Sequence, residues 1–433
     1  AQGWVGNPNP YGSAHGTAVS GIIAAVGWNN IGVTGVAPMA RVAGFQFLDS
    51  NQTSAQYVHQ ASGNFDVFNY SYGTGLNADL PDDPLFIAHL RQQVTQGRGG
   101  KGQIYVKAAG NEYDYFCKTI SGFSGTPCLP QNANIPAENN SPFLIVAGAS
   151  NAVGRRSSYS NTGSNIWVAA PGGEYGDTRP AILSTDLASC AAGYSSATSG
   201  PFAWNEFERF DNSSSVFKTL NPDCHYTSTM NGTSSATPAV SGVVALLLAA
   251  NPALTWRDVK HILAVTSDRI HEGQGVSDHP EAQFRLAGHS YELGWVQNAA
   301  GHWYNNWYGF GRVNAGAAVA LAKDPSYQLL PSWFESNPDF DLAGHGESGL
   351  SLAIPDANPA GLTRVKAIDY GAGKIVESVQ LMLTVTHARS GQVGVELISP
   401  DGTRSILLNT NNSLLHKVGS GSSPDANLDV VLT

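Results

Sequence analysis

Five short runs of almost unbroken apolar residues, at 42–48, 65–72, 104–109, 143–149 and 166–170, limit what this chain can fold into. A strand with one wet face alternates polar and apolar side chains. A run without alternation fits a strand covered on both faces, as in a parallel sheet flanked by helices. Segments 54–62 and 84–96 between these runs read as helices. Strand–helix alternation predicts an α/β fold with a doubly wound parallel sheet and a site at the strands' carboxyl ends. Two further helices, 15–26 and 237–250, are small or apolar on all sides and are expected to be buried all round. Pro238 is placed in the first turn of the second, Asn251-Pro252 stops it, and Thr255 is the expected N-cap of the next helix.

A chain of 433 residues is too long for one ordinary core. The character changes near residue 325, where Asp324-Pro325 and Leu330-Pro331 punctuate the sequence and a Gly-, Asp- and Pro-rich stretch follows to about 361. Segments 376–386 and 392–399 then alternate with period two, and Ser399-Pro400-Asp401-Gly402 reads as a turn between strands. The expected division is an α/β domain over 1–325 and a small antiparallel β-sandwich over 331–433, the latter ending partway through a strand.

Only 13% of residues are charged, the net charge is -10, and no run of Lys or Arg forms a nucleic-acid footprint. No signal peptide opens the sequence, and no apolar run reaches the roughly 18 residues of a membrane span. Ala1-Gln2-Gly3-Trp4 reads as a chain entered midway. Four cysteines allow three connectivities; local pairing, Cys117 with Cys128 and Cys190 with Cys224, is preferred because each bond would clip one loop. No C-x-x-C or nearby His spacing supports zinc, and disulfides point to an oxidising compartment.

Three motifs carry chemistry. Asn231-Gly232-Thr233-Ser234-Ser235-Ala236-Thr237-Pro238 runs straight into a buried helix, where free N–H groups and the helix dipole favour developing negative charge at a serine. The plainer reading is a Ser N-cap. His15-Gly16-Thr17 opens the other buried helix, and a neutral imidazole there suits the base that a serine nucleophile needs; a lone His in a core or on a surface is the alternative. Asn111, after the 104–109 run, offers an amide that can donate to an oxyanion, or simply forms a turn.

The order His15, Asn111, Ser234 with these flanks resembles the subtilisin-like serine proteases. The kexin-like proprotein convertase branch is the most similar, through 101–111, 246–259 and 308–313. The resemblance covers 1–325, and the following β domain resembles the P domain of those enzymes. It implies a secreted, extracellular or periplasmic serine endopeptidase, monomeric, acting on polypeptides and matured with a propeptide or chaperone. Ser234 would be nucleophile, His15 general base and acid, and Asn111 the oxyanion donor. Ser71-Tyr72-Gly73 would pair with substrate, although kexin-like enzymes have Ser-Trp-Gly-Pro there, and Ala109-Gly110 would line the first specificity pocket. A preference for basic residues would need carboxylates, with Asp79, Asp82, Asp83, Glu112, Asp114 and Glu138 as candidates. Structural calcium is implied at 27–33, with an amide from Asn29 or Asn30 and carbonyls of Ile31 and Val33. A second calcium site beside the pocket is weakened by Asn161, which stands where the branch has an acid.

The family order is Asp, His, Ser, yet only 14 residues precede His15 and none is acidic. The expectation is that the Asp-bearing strand lies upstream of Ala1, leaving the chain as written inactive, since loss of that Asp costs turnover about 3 × 10⁴. A binding module that keeps the cleft without catalysis is the rival reading. Neither a G-x-S-x-G elbow nor H-E-x-x-H is present.

Overall fold

The computed structural model describes residues 14–48, 52–73, 83–113, 130–176, 179–195, 221–274, 290–335, 352–356, 358–365, 367, 371, 373–387, 390–410, 412 and 427–433. Four strands, β1 (Val67–Tyr70), β2 (Ile104–Ala108), β3 (Leu144–Ser150) and β4 (Ile166–Pro171), form one parallel sheet in the order β1-β2-β3-β4. The apolar runs behave as expected: every residue of β2 and of β3 is buried.

Alternation along β1 shows what covers each face. Asn69 Oδ1 accepts from Ser241 Oγ (2.9 Å) on the helix Thr233–Ala250. Its neighbour Tyr70 points the other way, its ring centroid 6.4 Å from that of Phe86 on α3 (Pro84–Gly100). Helices therefore lie on both faces. The first face belongs to Thr233–Ala250, which we number α4 after α1 (His15–Ala24), α2 (Ser54–Gln60) and α3; it touches all four strands, and 14 of its 18 residues are buried. The following helices α5 (Trp256–Thr266) and α6 (Ala315–Lys323) pack on one another, α6 against α4 and α5 against β4. Thr255 caps α5 as expected, in a reciprocal box with Asp258.

Three expectations need correction. Residues 42–48 form no ladder and are mostly exposed; only Phe47 is buried and Phe45 half-buried, their rings against Phe65, His59, Tyr57 and Tyr72. Apolar composition alone did not place this run in the sheet, because strand pairing needs a backbone partner. The helix expected from 237 starts at Thr233, so Pro238 lies inside it rather than in its first turn. The N–H that Pro238 lacks is the one that would have met the Ser234 carbonyl. Finally, α4 is long and apolar enough to cross a membrane by length and composition, yet it is mostly buried as a core helix.

A hairpin of β5 (Ile182–Thr185) and β6 (Tyr226–Met230) leads into α4. It also holds α1: Ser184 Oγ donates to Ala18 O (2.6 Å) and Thr185 Oγ1 to Thr17 O (2.8 Å). Cys190 and Cys224 are bonded just beyond the hairpin; the pairing preferred for Cys117 and Cys128 lies outside the described residues. A short hairpin of β7 (Val296–Gln297) and β8 (Trp303–Tyr304) precedes α6.

The C-terminal region is antiparallel: β9 (Leu381–Thr386) pairs with β12 (Asn427–Leu432), and β10 (Val395–Ile398) with β11 (Arg404–Leu408). The expected turn closes β10 to β11, with Gly402 N–H donating to Ser399 O (2.9 Å) at a φ of 88° that suits glycine.

Candidate active site

A buried apolar helix brings the free N–H groups of its first turn into the protein interior, where each needs an acceptor. At the start of α4, Gly232 takes a φ of 92°. Its N–H donates to the hydroxyl of Tyr159 (2.8 Å), which donates onward to the carbonyls of Gly172 (2.7 Å) and Gly173 (2.8 Å). Burial raises the Tyr159 pKa, so the hydroxyl keeps the proton it donates. The N–H of Thr233 donates to Asn111 Oδ1 (2.7 Å), and so does the Thr233 hydroxyl (3.0 Å). These two donors fix the orientation of the Asn111 amide and leave Nδ2 as the group able to donate elsewhere. Among the described residues neither Asn111 Nδ2 nor the Ser234 N–H has an acceptor. Ser234 itself is 9% exposed, and its Oγ donates to Ser71 O (3.2 Å).

Ser234 and Asn111 face a cleft lined also by Tyr72, Gly73, Ala109, Gly110 and Glu112. Residues 109–112 follow β2, at the carboxyl edge of the sheet where such sites are expected. Asn161, fully buried, wraps this loop: its N–H meets Gly110 O (3.1 Å), its Nδ2 meets Ala109 O (3.2 Å) and Glu112 Oε2 (2.9 Å), and its Oδ1 accepts from Glu112 N–H (3.0 Å). Glu112 Oε2 in turn accepts from the Asn111 N–H (2.8 Å), and burial raises its pKa.

His15 opens α1, and burial lowers its pKa from 6.5. α1 packs on α4, and Met230, four residues before Ser234, clusters with Ala18 and Val19, one turn along from His15, which is not among the described residues that line the cleft. Asp186 follows the β5 residues that hold α1, but its carboxylate accepts from the N–H groups of Leu187 (2.8 Å) and Ser195 (2.7 Å) and so closes its own loop.

Sequence reading missed several residues here. Lys107 sits mid-strand in β2, 2% exposed, donating to Tyr72 O and pairing with Glu138 (3.4 Å) at the cleft. A lysine inside a run read as covered on both faces was the available signal, because a buried cation requires a partner. Thr233 and Tyr159 gave no local sign. Of the candidate carboxylates, Asp83 caps α3 through Leu85 and Phe86 N–H (both 3.1 Å), Glu112 and Glu138 line the cleft, and Asp79, Asp82 and Asp114 lie outside the described residues.

The proposed calcium loop holds Asn29 Oδ1 against its own Ile31 N–H (3.1 Å), with positive φ at Trp28, Asn30 and Gly32. Asn29, Asn30, Ile31 and Val33 offer neutral oxygens only, short of the six to eight that calcium takes. No cluster of three or more His, Cys, Asp or Glu exists among the described residues to hold a metal. The described residues do not complete a calcium site, and no chemistry here is routed through an ion.

A parallel α/β sheet with a serine at a buried helix start, facing an asparagine amide oriented by the same turn, defines the subtilisin-like class. The chain belongs to the subtilase family: the Peptidase_S8 family model matches residues 5–311, and the proprotein convertase P-domain model matches 376–425. It is 36% identical over 430 residues to the Aeromonas extracellular serine protease of Aeromonas sobria, covering 94% of this chain and 65% of that protein. It is 27% identical to human neuroendocrine convertase 2, covering 92% of this chain and 52% of that one. A crystal structure of the A. sobria serine protease in complex with the chaperone ORF2 superposes with a TM-score of 0.75 at 31% identity, covering 98% of this chain and 72% of that one. The chain thus spans about two thirds or less of the length of these curated relatives.

Tyr159→Phe removes the acceptor for the Gly232 N–H. The expected result is a loss of about 1–3 kcal/mol of stability, the cost of an unsatisfied buried donor, together with slower covalent modification of Ser234. Thermal denaturation and labelling kinetics check both; an unchanged rate with unchanged Tm would show that the turn holds without Tyr159.

Proposed function

We propose that this chain is the catalytic portion, with its P domain, of an extracellular serine endopeptidase. The observation that carries the reading is the Asn111 amide. Its oxygen is held by two donors from Thr233, so its NH₂ and the Ser234 N–H are the donors left open beside the Ser234 hydroxyl. A substrate strand pairs with Ser71-Tyr72-Gly73. Ser234 Oγ attacks the scissile carbonyl carbon while His15 takes the hydroxyl proton and then delivers it to the leaving amine. The developing oxyanion accepts from Asn111 Nδ2 and Ser234 N–H, a pairing in which one donor contributes about 2.7–4 kcal/mol. Water then hydrolyses the acyl-enzyme by the same route. No described carboxylate is assigned to orient His15, since Asp186 is engaged elsewhere.

The cleft suits a cationic side chain of the substrate. Glu138 is already paired with Lys107, whereas Glu112 is held by neutral N–H donors, with burial raising its pKa and Lys107 offsetting part of that rise. Glu112 is therefore the proposed contact for Lys or Arg at the first substrate position. The disulfide and the A. sobria relative named as extracellular support secretion, and the chaperone bound to the A. sobria enzyme supports a propeptide or chaperone partner during maturation. A structural calcium at 27–33 also belongs to this reading.

Three experiments follow. Fluorophosphonate labelling of the full-length protein should map to Ser234 and vanish in Ser234→Ala. Its rate should hold to below the ordinary histidine pKa of 6.5 and fall as pH drops further, because burial keeps His15 neutral there; modification elsewhere would overturn the assignment. Glu112→Gln should lower kcat/KM for Lys or Arg substrates by about 10-fold, as loss of a charge-assisted contact requires, and spare neutral ones. EGTA should lower Tm by an amount that added calcium reverses; indifference to EGTA removes the metal from the reading.

A further inference from the structure

Residues 131–140, part of the connection from β2 to β3, hold one isolated bridge, Asn132 to Thr162, and a single 3-10 turn, Ala137–Asn139. The side facing the catalytic residues supplies Pro136, Glu138 and Asn139 to the wall of the cleft. Ile135, immediately before Pro136, is 4% exposed and belongs to a different core: it clusters with Val393, Leu407, Leu408 and Leu432 of the C-terminal β region. Its neighbours are tied to the same region. Asn132 Nδ2 donates to Asn409 Oδ1 (2.9 Å) and Leu407 O (3.3 Å), and Asn134 Nδ2 donates to Leu407 O (3.0 Å). Asn134 Oδ1 accepts from Thr433 N–H (3.3 Å), and Asn140 O accepts from Thr433 Oγ1 (3.0 Å) and Gln380 Nε2.

One ten-residue segment is thus both the wall of the cleft and the seam between the domains, one residue thick at Ile135-Pro136. An irregular segment has no ladder of its own to fix its position, so its anchors do so. On the catalytic side those anchors are Thr162, whose carbonyl accepts from Ala133 N–H (2.8 Å), and Asn165, donating to Ala133 O (2.9 Å). On the other side they are the hydrogen bonds of Asn132, Asn134 and Asn140 and the apolar side chain of Ile135 set into the P domain's core.

We infer that the P domain sets the position of the specificity-pocket wall through Ile135, making Ile135 a positioning residue for substrate side-chain recognition. This rests on the peptidase reading above. Shortening Ile135 frees Pro136 and Glu138 to shift, which alters how a substrate side chain is held but leaves the Ser234–Asn111 geometry untouched, because that is fixed by Thr233 and Tyr159. The effect is on KM and on side-chain preference, not on the reactivity of the serine.

The test compares Ile135→Ala and the milder Ile135→Val with wild type in the full-length protein. It uses peptide substrates that differ at the first position, and diisopropyl fluorophosphate, which puts no side chain into the pocket. For Ile135→Ala the expected result is a rise in KM of about 10-fold for substrates whose side chain fills the pocket, a flattened preference among them, and a labelling rate within about twofold of wild type. Ile135→Val, which keeps most of the plug, should show the same pattern at about threefold and serves as the readout if the alanine variant does not fold. Labelling and kcat/KM falling together would mean a general loss of structure and overturn the inference. A lowered Tm with KM and preference unchanged would reduce Ile135 to packing and overturn it too. A wild-type protein that takes no label overturns the peptidase reading itself, and this inference with it.

Discussion

The constraint on which the rest depends is the burial of α4. A helix covered on nearly every side carries its positive end and its unpaired N–H groups into the interior, where leaving them unsatisfied is costly. The fold answers with side chains drawn from distant parts of the chain: Tyr159 for Gly232, Asn111 for Thr233. The Ser234 N–H has no such answer among the described residues, and it faces the cleft. The feature that completes the core and the feature that would stabilise an oxyanion are therefore one arrangement.

The same logic extends outward. Asn111 is placed by Thr233 on one side and, through Glu112, by Asn161 on the other. α1 is placed by hydroxyls of β5, whose partner β6 runs directly into α4. Position at the site is thus set by side chains and by the β5–β6 hairpin packed on α1, which suits chemistry sensitive to small displacements.

Much of this was legible in the sequence. The apolar runs gave four of the five expected strands, since covering a parallel sheet on both faces imposes a composition that single residues reveal. Ser234, Asn111 and His15 stood out because each follows or opens an element in a distinctive local context. Residues 42–48 misled because their apolar composition matches a covered strand, whereas only Phe47 is buried and pairing depends on a neighbour that the sequence does not name. Tyr159, Thr233 and Ile135 were invisible for a related reason: each acts on something more than 70 residues away. Lys107 was visible and unread, a cation inside a run that should have had none.

The bond between Cys190 and Cys224 joins the two ends of a 33-residue stretch that connects β5 to β6, just beyond the Thr185–Tyr226 end of the hairpin. A scission anywhere within that stretch would leave both fragments covalently attached, with the hairpin's pairing and the approach to α4 intact. A chain exposed to proteolysis would in this way outlast a cut in this disulfide-closed loop, and the damage would come to light only on reduction.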